Sequence, residues 1–131
     1  MINIQLRPTT FERLKHALQA LAMGPEVQTR LFPEFVCKAN EMVFEFELWY
    51  ERLISKAADA LSDSQRSQLM AIEDAIAAMS EADNQLWSDE GLSSRPEWER
   101  LRELSRSALQ TFGWPLEKPP SYLHEFIPAR R

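Results

Sequence analysis

Glycine and cysteine are scarce in this sequence of 131 residues, and long apolar runs are missing from it. Three glycines are too few for a strand-rich fold with many tight turns, and no glycine-rich phosphate-binding loop is present. The single cysteine, Cys37, excludes an internal disulfide and fits a reducing compartment. No run approaches the roughly 18 apolar residues that a membrane span needs, and the N-terminus lacks the pattern of a secretory signal. We therefore expect a cytoplasmic protein with no membrane association.

The chain does have enough apolar content to build one core. Its hydrophobic fraction is 44%, with four tryptophans and seven phenylalanines, which is typical of a folded protein rather than a disordered one. A length of 131 residues supports one domain and is too short for two ordinary ones. We expect a single domain that spans residues 1–131.

The net charge of −5 is concentrated in the middle of the chain. Residues 34–94 carry a net charge of −9, whereas residues 1–33 and residues 95–131 each carry +2. A negative field of this kind repels phosphate backbones and attracts basic proteins. The charge pattern therefore predicts a basic protein partner and argues against nucleic-acid binding.

Residues 41–53, EMVFEFELWYERL, alternate between apolar and acidic side chains as a strand would, but only for about three repeats. Over residues 34–61 the large apolar side chains, beginning with Phe35 and Val36, fall on one side of a helix instead. Because this helical spacing lasts longer and neither glycine nor proline interrupts it, we predict one long helix.

Start and stop signals indicate three further helices. Gly113, followed by Trp114 and a proline, is the expected stop of the last helix. Residues 115–131 contain four prolines and are predicted to form an extended tail. The sequence therefore predicts an all-α, single-domain bundle of about four helices with a Pro-rich C-terminal tail. The predicted helix starts are Thr9 with Glu12, Ser62 with Gln65, and Ser94 before Pro96.

No catalytic or metal-binding motif is visible. Cys37, His16 and His124 are too far apart in sequence and in predicted helix face to indicate a thiol–imidazole pair. The Glu-x-x-His element of a di-metal helical site is missing, so a solvated acidic face explains the glutamates better. We expect a protein that is not an enzyme and that binds no cofactor and no metal. The glutamates considered as metal ligands form two pairs one turn apart: Glu41 with Glu45, and Glu47 with Glu51.

A second apolar strip is predicted on the long central helix, on the side opposite its buried face. Phe44 and Leu48 lie in this strip, about 150–170° from the centre of the core face at about 100° per residue. An apolar centre with a charged rim is typical of a protein-binding surface, and the alternative is that a neighbouring helix or the tail covers the strip. The candidate partner-binding residues are Glu41, Phe44, Glu45, Leu48, Glu51, Glu73 and Asp74.

In size, acidity, helical character and lack of catalytic motifs, the chain resembles the small acidic cytoplasmic immunity proteins of bacterial toxin systems, including contact-dependent inhibition. The most distinctive local stretch is RPEWERLRELSRSALQTFGWP at residues 95–115. The resemblance implies an antitoxin-type inhibitor that occludes a cognate toxin domain, often a basic nuclease. Its carboxylates would then lie where the nuclease holds phosphate, with Phe44 and Leu48 as apolar anchors.

Two other functions also fit the sequence. A structural or assembly protein could form a homodimer through the strip of Phe44 and Leu48, although like-charged glutamates would then face one another. A helical domain that binds a small ligand between helices, near Trp114 and the tail, is a further alternative.

Overall fold

A computed structural model describes residues 8–123, and every regular element in this part of the chain is a helix. The prediction of an all-α protein is therefore confirmed, while residues 124–131 of the predicted tail lie outside the described residues. Two short 3-10 turns, Ala58–Ala60 and Asn84–Trp87, lie between longer helices. The α-helices are α1 (Pro8–Ala22), α2 (Pro25–Gln28), α3 (Lys38–Ala57), α4 (Asp63–Met79), α5 (Asp89–Ser94) and α6 (Pro96–Phe112).

The four long helices pack in the order α3, α1, α6, α4, so α1 and α6 are central and α3 and α4 are outermost. Their apolar stripes supply the core, which includes Leu14 and Leu18 of α1, Phe46 of α3 and Trp98 of α6. Because the apolar residues recur every three or four positions, each helix buries one side and keeps the other in water. Helices α3 and α4 also touch each other, which brings one flank of α3 next to α4.

Two of the predicted helix-end signals are confirmed. The Ser62 hydroxyl accepts a hydrogen bond from the Gln65 backbone N–H at 3.0 Å, and the Gln65 side chain accepts one from the Ser62 N–H at 2.9 Å. This reciprocal capping box satisfies two backbone donors that the first turn of α4 would otherwise leave unpaired. Gly113 ends α6 with a φ of 73°, in the left-handed region that glycine enters without a steric penalty.

The predicted start of the long helix in residues 34–61 is wrong. Helix α3 does not cover residues 34–37, because the Val36 N–H donates to the Pro33 carbonyl in a tight turn and Cys37 is extended. Phe35 lies in this turn and is 74% exposed, although its spacing predicts a place on the buried face. Apolar spacing reports which face is buried once a helix exists, but it does not locate the residue at which the helix begins.

Two other predicted starts are also wrong. Helix α1 begins one residue before Thr9, and Glu12 contacts the imidazole of His16 at 3.2 Å instead of reaching back to a cap. Ser94 is the last residue of α5, so the N-cap of α6 is Arg95, which makes no side-chain capping bond. Both errors follow from reading a capping pattern without knowing where the preceding segment ends.

The guanidinium of Arg102 is buried at the junction of four helical segments. It donates to Gln28 Oε1 at 2.9 Å, to the Met23 carbonyl at 3.1 Å and to the Leu92 carbonyl. The Gln28 amide in turn donates to two carbonyls in the last turns of α1, at 3.0 and 3.1 Å. Burial lowers the pKa of Arg102, and the carboxylate of Glu99, 3.3 Å away, opposes that effect. This network joins α6 to α2, to α5 and to the loop after α1.

Residues 114–121 form neither helix nor strand, and Trp114 packs edge-on against Phe11 of α1. Gln19 of α1 donates its side-chain amide to a carbonyl oxygen of this segment at 2.9 Å. The Tyr122 N–H donates to the Leu31 carbonyl at 2.8 Å, and the Tyr122 ring stacks on Phe32 with the ring centroids 4.8 Å apart. The segment after α6 therefore covers apolar side chains in the loop between α2 and α3.

Candidate functional site

The strip of Phe44 and Leu48 lies on the side of α3 that faces away from α1. Phe44 is 56% exposed and Leu48 is half-buried, so no other element of residues 8–123 covers Phe44. The ring of Phe44 adds apolar area beside the half-buried Leu48, and water contact with such area is unfavourable. The strip therefore meets the first condition for a docking surface.

One border of the strip carries charges of both signs. Glu45 accepts a hydrogen bond from the indole N–H of Trp49 at 3.2 Å. The guanidinium of Arg52 lies 4.7 Å from the centroid of the Trp49 ring, and that of Arg13 lies 5.8 Å away. This border can hold Trp49 in place by cation–π contact, and its net charge is small.

The other border, which faces α4, is crowded with carboxylates. Glu47 and Glu51 come from α3, and Glu73 and Asp74 come from α4. Asp74 lies at the edge of this border, since it also lines the flank of α4 towards α6, as does Arg100. Burial raises the pKa of Glu47, and the charge of Glu51 raises it further. Burial also raises the pKa of Glu73, with repulsion from Glu47, Glu51 and Asp74. Within the part of the chain that the structure describes, no ion pair or hydrogen bond joins these four residues, the carboxylate cluster, to a basic side chain.

Glu73 places one carboxylate oxygen where water does not reach. Its Oε1 atom is shielded from solvent and accepts no hydrogen bond from the residues that the structure describes. Tyr50 of α3 lies on the same flank, where burial raises its pKa and the charges of Glu73 and Asp74 raise it further. A shielded carboxylate oxygen without a donor is unfavourable for the charged form, in agreement with the raised pKa of Glu73.

A groove of about 730 Å³ continues from the carboxylate cluster along the line where α3 meets α4. Its floor is apolar and includes Val43 and Phe44 of α3 and Ile76 and Ala77 of α4. Because Glu47 belongs both to the groove and to the cluster, the two features form one continuous surface. This surface offers apolar area and uncompensated negative charge side by side.

The structure brings together some of the predicted partner-binding residues and separates others. Glu51, Glu73 and Asp74 meet in the carboxylate cluster, and Glu41 and Phe44 line the groove. Glu45 and Leu48 do not line the groove, and Glu45 contacts Trp49 on the other border of the strip instead. Glu47 was missed as a site residue. The available signal was its position one turn before Glu51. The sequence did not reveal that α3 pairs with α4, which places Glu47 on the flank that α4 approaches.

Of the residues considered for catalysis, Cys37 and His16 do not line this surface. Cys37 is an exposed thiol whose Sγ lies 3.4 Å from the Trp87 carbonyl. Burial lowers the pKa of His16 despite the neighbouring Glu12 carboxylate, and His124 lies outside the described residues. Among residues 8–123, no three His, Cys, Asp or Glu side chains are grouped so that they could hold a metal ion.

Comparison of the chain with protein-family models, with curated proteins and with solved structures finds no match. No helix within the described residues combines the length and the apolar character needed to cross a membrane. The surface formed by α3 and α4 is therefore the candidate functional site.

The carboxylate cluster predicts that Glu73→Gln stabilises the protein at pH 7. The fold raises the pKa of Glu73 above its unfolded value, so the native state favours the protonated acid. The charged Glu73 side chain therefore lowers the free energy of unfolding, and this effect is complete at pH values above the raised pKa. The effect disappears as the pH falls below the pKa of glutamate in the unfolded chain, about 4.3. Because solvent screens these charges, we expect a gain of about 0.5 kcal/mol in the free energy of unfolding at pH 7.

Urea denaturation followed by tryptophan fluorescence can measure this gain. The difference between Glu73→Gln and the wild type should shrink towards pH 4 and also at high salt, since salt screens partly exposed charges. Glu103→Gln on the exposed side of α6 is the matched control and should change stability little. A Glu73→Gln variant that is less stable than the wild type at pH 7 would show that the carboxylate repulsion is unimportant.

Proposed function

We propose that this protein is a non-catalytic protein-binding module, an inhibitor of the immunity or antitoxin type that occludes a basic toxin domain, such as a nuclease. The observation that carries the proposal is the exposed ring of Phe44 beside Glu47, Glu51 and Glu73, which form no ion pair with a described basic side chain. The resemblance in size, acidity and helical character to small bacterial immunity proteins supports the same function. We further propose a cytoplasmic location and a bundle arrangement of the four long helices with a Pro-rich tail.

The physical basis of such binding has two parts. Burial of the Phe44 ring in a partner would remove apolar surface from water and could anchor the complex. The carboxylate cluster would attract a positively charged surface at long range and raise the association rate. A nuclease cleft that holds phosphate is lined by basic groups, so carboxylates can occupy it in place of substrate.

The decisive test uses a double variant, Phe44→Ala with Glu51→Arg, that removes the anchor and reverses one charge of the cluster. Both residues are exposed on α3, so the variant should fold normally. We expect the wild type to retain a basic protein at equal stoichiometry from its native cells, and to inhibit it after reconstitution. The double variant should bind that purified partner at least about tenfold more weakly, the effect of losing about 1.4 kcal/mol.

The matched control changes the same residue types elsewhere, Phe35→Ala with Glu103→Arg. Both of these positions are exposed and lie outside the strip and the groove. This control should bind like the wild type, and its association rate should fall with salt as that of the wild type does. Equal affinity of the wild type and the Phe44→Ala, Glu51→Arg variant would contradict the proposed surface.

Analytical ultracentrifugation of the purified protein separates this function from self-association. We expect a monomer at high concentration, because an isologous dimer through the strip would bring like-charged clusters together. A dimer that the Phe44→Ala, Glu51→Arg variant dissociates would instead favour a structural or assembly role.

A further inference from the structure

The groove between α3 and α4 has two ends of different chemistry. At one end lie Glu47 and the remainder of the carboxylate cluster. At the other end lie the uncharged side chains of Asn40, Ser80 and Asn84, with Glu41 as a single carboxylate among them. The two ends are joined by the apolar floor described above. A ligand that fits this groove therefore needs one apolar face and most of its positive charge at one end.

We propose that this groove binds an amphipathic α-helix of the basic partner, with the cationic end of that helix over Glu47 and Glu73. This inference rests on the proposed function, and it specifies which part of the partner is bound and in which orientation. A groove between two helices is a common receptor for a third helix, whose apolar side chains at three- and four-residue steps pack into it.

The dimensions of the groove fit such a helix. The α3 residues that line the groove extend from Asn40 to Glu47, which at 1.5 Å per residue is roughly 11 Å, or two helical turns. Along this length the floor is formed by Val43 and Phe44 of α3 and by Ile76 and Ala77 of α4. About two turns of a bound helix can therefore lie along the groove and place two apolar side chains on its floor.

Charge complementarity determines the orientation of the bound helix. Glu47, Glu51, Glu73 and Asp74 leave one end strongly negative, with no described basic residue paired to them. An arginine or lysine over this end could pair with the exposed carboxylate of Glu51. At the other end, Glu41 stands alone among amide and hydroxyl groups, so the attraction for a cation is weaker there.

The test uses a synthetic 14-residue helical peptide that carries leucines at three- and four-residue steps and three arginines at one end. We expect the fluorescently labelled peptide to bind the full chain at equal stoichiometry, as measured by anisotropy. A second peptide, in which glutamine replaces each arginine, should bind at least about tenfold more weakly. Equal binding of the two peptides would overturn the proposed charge contact.

A pair of neighbouring alanines on α4 provides a sharp control. Ala77 lies on the groove floor, whereas Ala78 lines the opposite flank of α4, towards α6, and both are exposed. We expect Ala77→Trp to fill the groove and weaken peptide binding at least about tenfold, and Ala78→Trp to leave it unchanged. Glu73→Gln should also weaken binding, and it tests the groove if Ala77→Trp does not fold. Equal binding by the Ala77→Trp and Ala78→Trp variants would overturn the groove as the binding site.

The native partner separates this inference from the proposed function. If Phe44→Ala with Glu51→Arg weakens binding of the partner but Ala77→Trp does not, the proposed function stands and the groove inference is wrong. If both variants bind the partner as the wild type does, both proposals are wrong. If both lose binding while Ala78→Trp and the Phe35→Ala, Glu103→Arg control retain it, both proposals are supported.

Discussion

Replacement of Arg102 by methionine should lower the free energy of unfolding by about 3–5 kcal/mol. The side chain is buried, and its loss would leave Gln28 Oε1 and the carbonyls of Met23 and Leu92 without their donors. Each buried acceptor left unpaired costs about 1–3 kcal/mol, while methionine restores only part of the packing. Urea denaturation followed by circular dichroism measures the change.

Arg100→Met is the matched control for this substitution. Arg100 lies on the same helix but is exposed, so the same change of side chain should cost less than about 0.5 kcal/mol. Arg102→Lys should fall between the two, because an ammonium group keeps the charge but lacks the planar fork that reaches several acceptors. Equal stability of Arg102→Met and Arg100→Met would mean that the buried network contributes nothing to stability.

Gly91→Ala should destabilise the protein by about 3 kcal/mol, because a buried backbone approach leaves no room for a β-carbon. Gly91 lies in α5 against the 3-10 turn Asn84–Trp87. An alanine Cβ at this position would overlap the Gln85 carbonyl and approach the Leu86 carbonyl oxygen to 2.7 Å. Both are backbone atoms, so relief requires the whole turn to move. That movement would displace the Leu86 oxygen, which accepts the Trp98 indole N–H at 2.7 Å.

Gly113→Ala provides a contrasting glycine substitution. Gly113 has a left-handed φ of 73°, but an alanine Cβ there would meet no atom within 4 Å, so the cost comes from backbone strain alone. That strain is about 1 kcal/mol. Thermal and urea unfolding of the two variants should therefore differ clearly, with Gly91→Ala the less stable. A Gly91→Ala variant as stable as Gly113→Ala would show that the 3-10 turn yields easily.

The sequence predicted the parts of the fold that local chemistry controls. The capping box of Ser62 and Gln65 and the stop at Gly113 each depend on residues within one turn, and both are present. The predicted helical start at residues 34–37 failed because a turn at Pro33 competes with it. The contact between Arg102 and Gln28 spans 74 positions, so no local pattern could reveal it.

The candidate surface was predicted in the same partial way. The spacing of Phe44 on α3 correctly placed it away from the core, since that inference needs only the helical period. The inclusion of Glu73 depended on charge alone, and its position opposite Glu47 depends on how α3 meets α4. Because helix pairing is a tertiary property, a single sequence contains no direct signal for it.

The stacking of Tyr122 on Phe32 has a consequence for how the protein is made. Ninety positions of chain separate these two rings, so the ribosome must add nearly all of the described sequence before Tyr122 can reach Phe32. At a synthesis rate of about 5–20 residues per second, Phe32 and its neighbour Leu31 stay uncovered by this segment for several seconds or more. During that interval the nascent protein exposes an apolar surface to which a chaperone can bind.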